Sequence, residues 1–259
     1  MVPTHDLVTG IWWQHVMLVA VFTVVMLAIL LWVRGWRDPA KVRRFEIGFG
    51  VIGLAISVIV NAWWFVPARF SLEKSLPLQM CDLAALIAPL ALLTRVRWLR
   101  SLLHFWGFGL CSQWVFTPIA STGMETIEFW MSFMPHASIL ATAACDVLVG
   151  GYRPSWRDWR IGVFGAIAYT LAMVPLDVRL HVNYGFVGNS RPEVATIVDA
   201  LGPWPLRLVW IVLLAFTLML LVKLAWYPLG RLRVLALASA AHPVDRLDSV
   251  QRASVERVS

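Results

Sequence analysis

An amide, a thiol and a carboxylate lie within one helical turn of a long apolar stretch, at Gln79, Cys81 and Asp82. The stretch runs from Leu76 to Thr94, which is long enough to cross a bilayer. An ionisable side chain inside the membrane costs roughly 3 kcal/mol on insertion scales and is tolerated mainly where it faces other helices or water. The group therefore indicates a functional site, and a thiol with a base nearby points to nucleophilic chemistry.

The composition indicates an integral membrane protein. Hydrophobic residues make up 59% of the 259 residues and charged residues 14%, and the mean hydropathy of +0.73 is outside the usual balance of a soluble domain. Seven apolar stretches reach the length of a spanning helix, which is about 20 residues. They are Trp12 to Val33, Ile47 to Val66, Leu76 to Thr94, Leu99 to Ile119, Ile127 to Val149, Ile161 to Leu180 and Pro205 to Trp226.

These stretches predict an all-α membrane protein, a seven-helix transmembrane bundle over residues 1–230 followed by a mostly disordered cytoplasmic tail over residues 231–259. Basic residues set its orientation, because short cytoplasmic loops retain Lys and Arg. Of the 22 Lys and Arg residues, 17 fall on one side of the predicted bundle. We therefore expect a multi-pass protein of the cell membrane with its amino terminus outside and its carboxyl terminus inside.

The basic residues behind the formal charge of +7 are dispersed over the predicted inner loops, and no motif for base or phosphate recognition accompanies them. We expect no nucleic-acid partner. Paired metal-ligand spacings such as Cys-x-x-Cys or His-Glu-x-x-His do not occur in the sequence. We therefore predict neither a metal nor a cofactor.

The polar residues of the spans gather on the predicted outer side. They are His15, Asn61, Gln79, Cys81, Asp82, Gln113, Thr117, Glu128 and His136. At about 1.5 Å of rise per residue, Cys81 is roughly 8 Å and His136 roughly 13 Å below the outer ends of their helices, so a shared pocket is expected. The inner halves of the same helices are nearly free of such groups, Asp146 being the main exception.

Each polar residue also has a structural interpretation. Cys111 and Cys145 are predicted to be small packing residues, as a lone Cys in an apolar helix usually is. Cys81 differs because Gln79 and Asp82 are its neighbours, so it is a candidate thiolate nucleophile. His136 is a candidate base, or else it forms an interhelical hydrogen bond that stabilises the bundle.

Several short motifs follow one another along the chain. They are Leu76-Pro77-Leu78-Gln79-Met80-Cys81-Asp82, Phe105-Trp106-Gly107, Gln113, Thr117-Pro118, Phe129-Trp130 followed by His136, Asn183-Tyr184-Gly185-Phe186 and Leu201-Gly202-Pro203-Trp204-Pro205. This ordered set resembles the bacterial YwaF-type integral membrane proteins, a group related to the eukaryotic transmembrane protein 164 family. The resemblance covers about Gln14 to Trp226.

The resemblance implies an activity. The eukaryotic relatives are implicated as phospholipid acyltransferases that use a Cys and a His in membrane helices, and by motif Cys81 and His136 take those places. A membrane phospholipid or lysophospholipid is then the expected partner. The chain departs from the family pattern at Gln79, where many bacterial relatives carry His, and at Asp82, where the eukaryotic branch has His directly after the Cys. The identity of the substrate therefore does not carry over.

Together these observations predict a thiol-dependent phospholipid acyltransferase or lipid hydrolase. In this mechanism His136 takes the Cys81 proton, the thiolate attacks a lipid ester carbonyl, and a lysolipid hydroxyl or water accepts the acyl group. Gln79, Gln113 or the loop amides near Asn183 stabilise the oxyanion. The candidate substrate contacts are His15, Gln79, Asp82, Gln113, Glu128, Asn183 and Tyr184.

Two other classes use the same polar residues. A transporter or receptor would bind a small polar ligand in this pocket, although transporters usually place their sites near the midplane between repeated halves, and the sequence has no internal repeat. A scaffold protein would use the polar residues only to hold its helices together. A rhodopsin-like photoreceptor is disfavoured, because Lys223 lies at the inner end of the last span instead of mid-membrane.

Overall fold

A computed structural model describes residues 5–116, 123–189 and 201–226 of the chain, with only the backbone for residues 5–11. Its α-helices are α1 (His5–Arg34), α2 (Pro39–Trp64), α3 (Leu72–Ser75), α4 (Met80–Thr94), α5 (Arg97–Phe105), α6 (Ile127–Leu148), α7 (Trp156–Leu180) and α8 (Arg207–Leu224). The regular structure of these ranges is entirely helical, as predicted. The predicted tail and Thr117 lie outside the described residues.

Six helical stretches of the described residues are long and apolar enough to cross a membrane, with α3 and α4 together forming one of them, Leu72–Thr94. Large apolar side chains on their outer faces are mostly exposed, among them Val24, Phe164 and Leu171. Apolar surface of this extent is stable in lipid and not in water. The chain is therefore a multi-pass membrane protein.

The fourth predicted span, Leu99 to Ile119, differs from the prediction because it is not one regular helix. The nine-residue α5 ends at Phe105. A π-helical turn follows over Trp106–Leu110, and a 3-10 turn over Cys111–Val115. In place of seven regular spanning helices, the described residues form six, together with one irregular stretch over residues 97–115. We call this stretch the broken segment.

Two glycines account for the break. Gly107 and Gly109 have low helix propensity, so they support a regular helix poorly. A Cβ at Gly107 would lie 3.4 Å from side-chain atoms of α6, and one at Gly109 would lie 3.3 Å from the Met219 side chain of α8. The broken segment therefore packs closely against two neighbouring helices where longer side chains would keep them apart.

Helix α4 lies among α2, α5 and α6. Its buried face carries small side chains, including Ala84, Ala85 and Ala88, which let neighbouring backbones approach closely in a membrane. The Ser57 hydroxyl of α2 donates a hydrogen bond of 2.7 Å to the Ala85 carbonyl. The first turn of α4, with Cys81, is thereby placed inside the bundle.

One end of the bundle holds buried carboxylates that pair with arginines, and we call this set the charged cluster. It consists of Glu46, Asp146 and Asp158 with Arg43, Arg95, Arg97 and Arg100. Arg97 Nε lies 2.9 Å from Asp158 Oδ1, and Arg100 Nε lies 2.8 Å from Asp146 Oδ1. Arg43 and Arg95 both pair with Glu46.

The charged cluster corrects the expectation that these helix ends are nearly free of buried polar groups. Helices α2 and α7 begin at Pro39 and Trp156, before the predicted spans. Glu46 and Asp158 therefore lie inside helices, where pairing with arginines compensates their burial.

The broken segment runs between the two ends of the bundle. It begins at Arg97, which pairs with Asp158 in the charged cluster. It approaches its end at Trp114, whose carbonyl accepts a hydrogen bond from His15 near the start of α1. The second end of the bundle, which also carries the start of α4, is where the candidate site lies.

Candidate active site

Cys81 is the second residue of α4, directly after Gln79 and Met80. The first N–H groups of a helix have no acceptor within the helix and give this end a partial positive charge. Such a position favours the thiolate form of a cysteine. The Cys81 side chain is partly exposed, although it packs against a buried cluster that includes Ala84 and Ile139.

His136 is a buried residue of α6. Its Nδ1 lies 2.8 Å from the Ser132 carbonyl oxygen. Because a carbonyl only accepts, Nδ1 carries the hydrogen, and in the neutral imidazole Nε2 keeps its lone pair. Nε2 is buried and meets no partner in standard hydrogen-bond geometry. The ring therefore has a free proton acceptor.

The Cys81 thiol and the His136 imidazole are close enough to interact electrostatically, although no hydrogen bond of standard geometry joins them. The contact is loose, since Nε2 makes no hydrogen bond of standard geometry. Active sites without substrate often show such loose contacts, which tighten when the substrate binds. The carboxylate of Asp82 lies close to both residues, and it accepts a hydrogen bond of 3.3 Å from the Gln79 backbone N–H.

Trp114 joins two histidines at this end of the bundle. Its ring stacks on His136, with ring centroids 5.4 Å apart and an interplanar angle of 14°. Its carbonyl accepts a hydrogen bond of 2.9 Å from His15 Nε2. His15 is therefore a buried support of Trp114, in place of the substrate contact that the sequence predicts. Trp114 itself escaped the sequence analysis, because its indole resembles the other aromatic residues of the spans.

Cys111 lies beside these residues. It is a buried member of the apolar cluster against which Cys81 packs, which agrees with its interpretation as a packing residue. We call Cys81, Asp82, Cys111, Trp114 and His136 the thiol cluster.

Gln79 ties the thiol cluster to the loop after α7. Its Oε1 accepts a hydrogen bond of 2.8 Å from the Gly185 backbone N–H, so the amide nitrogen keeps its two donor hydrogens for other partners. Gly185 has φ +61°, and a Cβ there would lie 2.7 Å from Cε1 of Tyr169. Only glycine fits this position, because both the left-handed backbone and the tyrosine ring exclude a side chain.

Asn183 and Tyr184 hold the same loop together. Asn183 Oδ1 accepts a hydrogen bond of 2.9 Å from the Gly188 backbone N–H. The Tyr184 hydroxyl donates to the Leu72 carbonyl, and its backbone N–H donates to Asp177 Oδ1 over 3.0 Å. Burial raises the pKa of Tyr184, so its phenol stays protonated and donating. Both residues position the loop through internal hydrogen bonds.

The remaining candidates do not join the buried contacts around Cys81. Gln113 and Glu128 are exposed, so the structure does not bring them into the thiol cluster. The depth of these two residues along their helices is predictable from the sequence, but depth alone does not determine which face of a helix a residue occupies.

The start of α4 is only partly covered by neighbouring residues. Residues 76–83 are all half-buried. At about 3.6 residues per turn, a continuous run of this kind covers every face of the first turn of α4, including the face toward His136. The start of α4 is therefore the part of the site that the rest of the described protein covers least. A nucleophile, a base and helix-start donors at an accessible point are suited to acyl transfer.

The sequence profile of the TMEM164 family matches residues 10–223. No curated protein and no solved structure shows a match. The matched range contains the whole thiol cluster and the loop whose Gly185 backbone N–H donates to the Gln79 side chain.

Proposed function

The chain belongs to the TMEM164 family, and we propose that it catalyses thiol-dependent acyl transfer or hydrolysis on membrane lipid esters, with Cys81 as nucleophile and His136 as base. One observation carries the proposal. A partly exposed thiol at the start of α4 faces a buried imidazole whose Nδ1 is bound to a carbonyl and whose Nε2 has no partner. This is the tautomer that a general base needs.

In the first half-reaction, His136 Nε2 takes the Cys81 proton. The thiolate attacks the ester carbonyl carbon, a C–S bond forms, and the carbonyl oxygen becomes an oxyanion. The C–O bond to the lipid alcohol then breaks, and the imidazolium returns the proton to that alcohol. The products are an acyl thioester on Cys81 and a lysolipid.

In the second half-reaction, a lysolipid hydroxyl or water gives its proton to His136 Nε2 and attacks the thioester carbonyl. The C–S bond breaks, and the thiolate takes the proton back from the imidazolium. The acceptor alone decides between transfer and hydrolysis. An ionised Asp82 near the pair stabilises the imidazolium that forms in both halves.

Two donors support the proposed stabilisation of the oxyanion. The Cys81 backbone N–H belongs to the first turn of α4 and has no intrahelical acceptor. The Gln79 amide nitrogen has donor hydrogens, since Gly185 holds the amide oxygen. Removing one donor of this kind lowers turnover about 100- to 1,000-fold in other acyl-transfer enzymes.

The decisive experiment incubates the purified protein in lipid nanodiscs with a phospholipid that carries a labelled acyl chain. We expect a label on Cys81 that hydroxylamine removes, because hydroxylamine cleaves thioesters. Cys81→Ala should abolish the label. The matched control is Cys145→Ala, since Cys145 is a buried packing residue beside Leu30 and Leu92.

Comparative lipidomics of cells with wild type, Cys81→Ala or Cys145→Ala extends the same test. If Cys81→Ala cells keep the wild-type lipid profile and no adduct forms with any phospholipid, the thiol cluster is a recognition site for a transported or sensed ligand.

We also propose that the broken segment crosses the membrane, which gives seven crossings in the cell membrane with the amino terminus outside. The course of the segment from Arg97 to Trp114, end to end through the bundle, supports this count. The test uses a variant without native cysteines and a membrane-impermeant maleimide on intact cells. Lys74→Cys should be labelled, and Arg157→Cys should be labelled only after permeabilisation. The reverse result would contradict the orientation.

A further inference from the structure

Basic side chains crowd the corner between α1 and α2, at the end of the bundle that holds the charged cluster. We call residues 34–44 the basic corner, and its cationic residues are Arg34, Arg37, Lys41, Arg43 and Arg44. Arg43 is half-buried and is engaged by Glu46 and by two carbonyls of α4. The other four side chains are exposed, and none of them forms an ion pair or a side-chain hydrogen bond with the described residues. Their charges therefore face the surroundings of the protein.

A cavity of about 400 Å³ opens in the basic corner, lined by Trp36, Arg37, Asp38 and Lys41. The Asp38 carboxylate is bound to its own helix start, where Oδ1 accepts from the Ala40 and Lys41 backbone N–H groups over 2.8 Å and 3.3 Å. These N–H groups already have an acceptor, so recognition of a ligand falls to side chains. With two cations against one carboxylate, the lining is positive, which favours an anionic ligand.

Aromatic rings place the cavity at the membrane surface. The Trp36 ring makes an edge-on contact with Trp32, with ring centroids 5.1 Å apart, and its centroid lies 6.1 Å from that of Phe45 in α2. Trp32 is exposed on the outer face of α1. Tryptophans of membrane proteins concentrate at the level of the lipid headgroups, and the anions at that level are lipid phosphates.

We propose that the basic corner binds an anionic phospholipid, whose headgroup phosphate occupies the cavity beside Arg37 and Lys41. Arg44 is three positions after Lys41 on α2, so the two share a helix face and extend the positive surface beyond the cavity. A zwitterionic headgroup would bring its own cation toward these fixed cations and is disfavoured. The site lies at the opposite end of the bundle from the thiol cluster, and the inference does not depend on the proposed function.

The test titrates phosphatidylglycerol into the purified protein in detergent and measures bound lipid by native mass spectrometry, with phosphatidylcholine as the zwitterionic reference. Arg37→Gln combined with Lys41→Gln should weaken phosphatidylglycerol binding about 25-fold, since each basic residue near an anionic lipid contributes about fivefold. The matched control combines Arg157→Gln with Arg160→Gln. These two cations are also exposed and lie in the first turns of α7, at the same end of the bundle and outside the cavity lining. The control should leave the affinity close to the wild-type value.

Equal losses in the two double variants would overturn the inference, because binding would then follow total charge and not the cavity. Phosphatidylcholine binding as tight as that of phosphatidylglycerol would also overturn it. Inorganic phosphate is the third probe, and phosphate that binds as tightly as the lipid would assign the cavity to a free anion. If the variant of Arg37 and Lys41 does not fold, the two single substitutions give the same comparison at about fivefold each. The acyl adduct on Cys81 tests the proposed function separately.

Discussion

The thiol cluster and the charged cluster bury polar groups at opposite ends of one bundle, and they differ in how completely those groups are paired. In the charged cluster, each carboxylate meets at least one guanidinium, and Asp158 also accepts hydrogen bonds from Ser101 and Ser155. In the thiol cluster, His136 Nε2 is unpartnered and Cys81 is partly exposed. Each carboxylate of the charged cluster has an ionic partner, although Glu46 Oε1 has none of its own, and such pairing suits a structural role. Among the described residues, no carboxylate forms a salt bridge with the imidazole of the thiol cluster, which leaves the ring available to react.

The two regions also share a helix. Arg43 of the charged cluster donates to the carbonyls of Leu92 and Leu93, over 2.7 Å and 2.6 Å, at the last turns of α4. The first turn of the same helix carries Cys81. Mutations in the thiol cluster and in the charged cluster should therefore separate effects on activity from effects on stability.

The largest expected effect is on activity. His136→Phe keeps an aromatic ring beside Trp114 and removes the base, so acyl-adduct formation should fall about 100- to 10,000-fold. The thermal unfolding midpoint in detergent should change little, because Nε2 makes no hydrogen bond and the Nδ1 bond to Ser132 lies within α6. A variant that loses activity and stability together would remove the distinction between the two clusters.

The largest expected effect on stability comes from the charged cluster. Asp146→Ala leaves the half-buried Arg100 without its carboxylate, and removal of one partner from a buried pair costs about 3 to 5 kcal/mol. Thermal or denaturant unfolding should show this loss, while the adduct formed per folded molecule stays at the wild-type level. Asp38→Ala is the control, since it removes only an exposed helix cap worth about 1 kcal/mol. A loss for Asp146→Ala no greater than for Asp38→Ala would contradict the assignment.

Gly185→Ala should affect both properties moderately. The positive φ and the Tyr169 ring oppose the new Cβ, which should cost about 1 to 3 kcal/mol. Displacement of the backbone at Gly185 should also weaken its hydrogen bond to the Gln79 side chain and slow adduct formation. Gly151→Ala is the matched control, because Gly151 has φ +68° with no atom within 4 Å of a new Cβ. Equal effects in the two variants would show that the tyrosine contact does not matter.

The smallest expected effect is at a single interhelical hydrogen bond. Ser57→Ala removes the bond to Ala85, and such bonds average about 0.6 kcal/mol in membrane proteins. Thr217→Ala removes a hydroxyl that bonds within its own helix, to the Leu213 carbonyl, and should be near neutral. Unfolding midpoints of the two variants give the comparison. A Ser57→Ala loss comparable to that of Asp146→Ala would mean that neutral hydrogen bonds stabilise the bundle as strongly as ion pairs.

Much of the fold follows from hydropathy. Six of the seven predicted spans have counterparts among the long helices, because an apolar run of sufficient length has few alternatives in a bilayer. The fourth span failed as a regular helix because its break depends on the neighbours that Gly107 and Gly109 contact. Sequence shows the glycines and does not show the helices that approach them.

The candidate site was predictable in depth and only partly in orientation. Similar depths placed Cys81 and His136 at one level, and the structure brings them together. Depth also selected Gln113 and Glu128, which are exposed. Cys111 joins the apolar cluster around Cys81 from a 3-10 turn, whose rotation per residue differs from that of an α-helix. Hydrophobic periodicity carries no information about such a local change.

The pairing of the broken segment also has a consequence for the order of events during biosynthesis. Arg100 finds its carboxylate 46 positions later in the chain, and Arg97 finds its own 61 positions later. At about 5 to 20 residues per second, the second delay amounts to roughly 3 to 12 seconds. Both guanidiniums belong to the first turn of α5, at the end where short loops retain basic residues, so they stay at that surface without their carboxylates during the delay. The charged cluster is therefore completed only after the start of α7 has been synthesised.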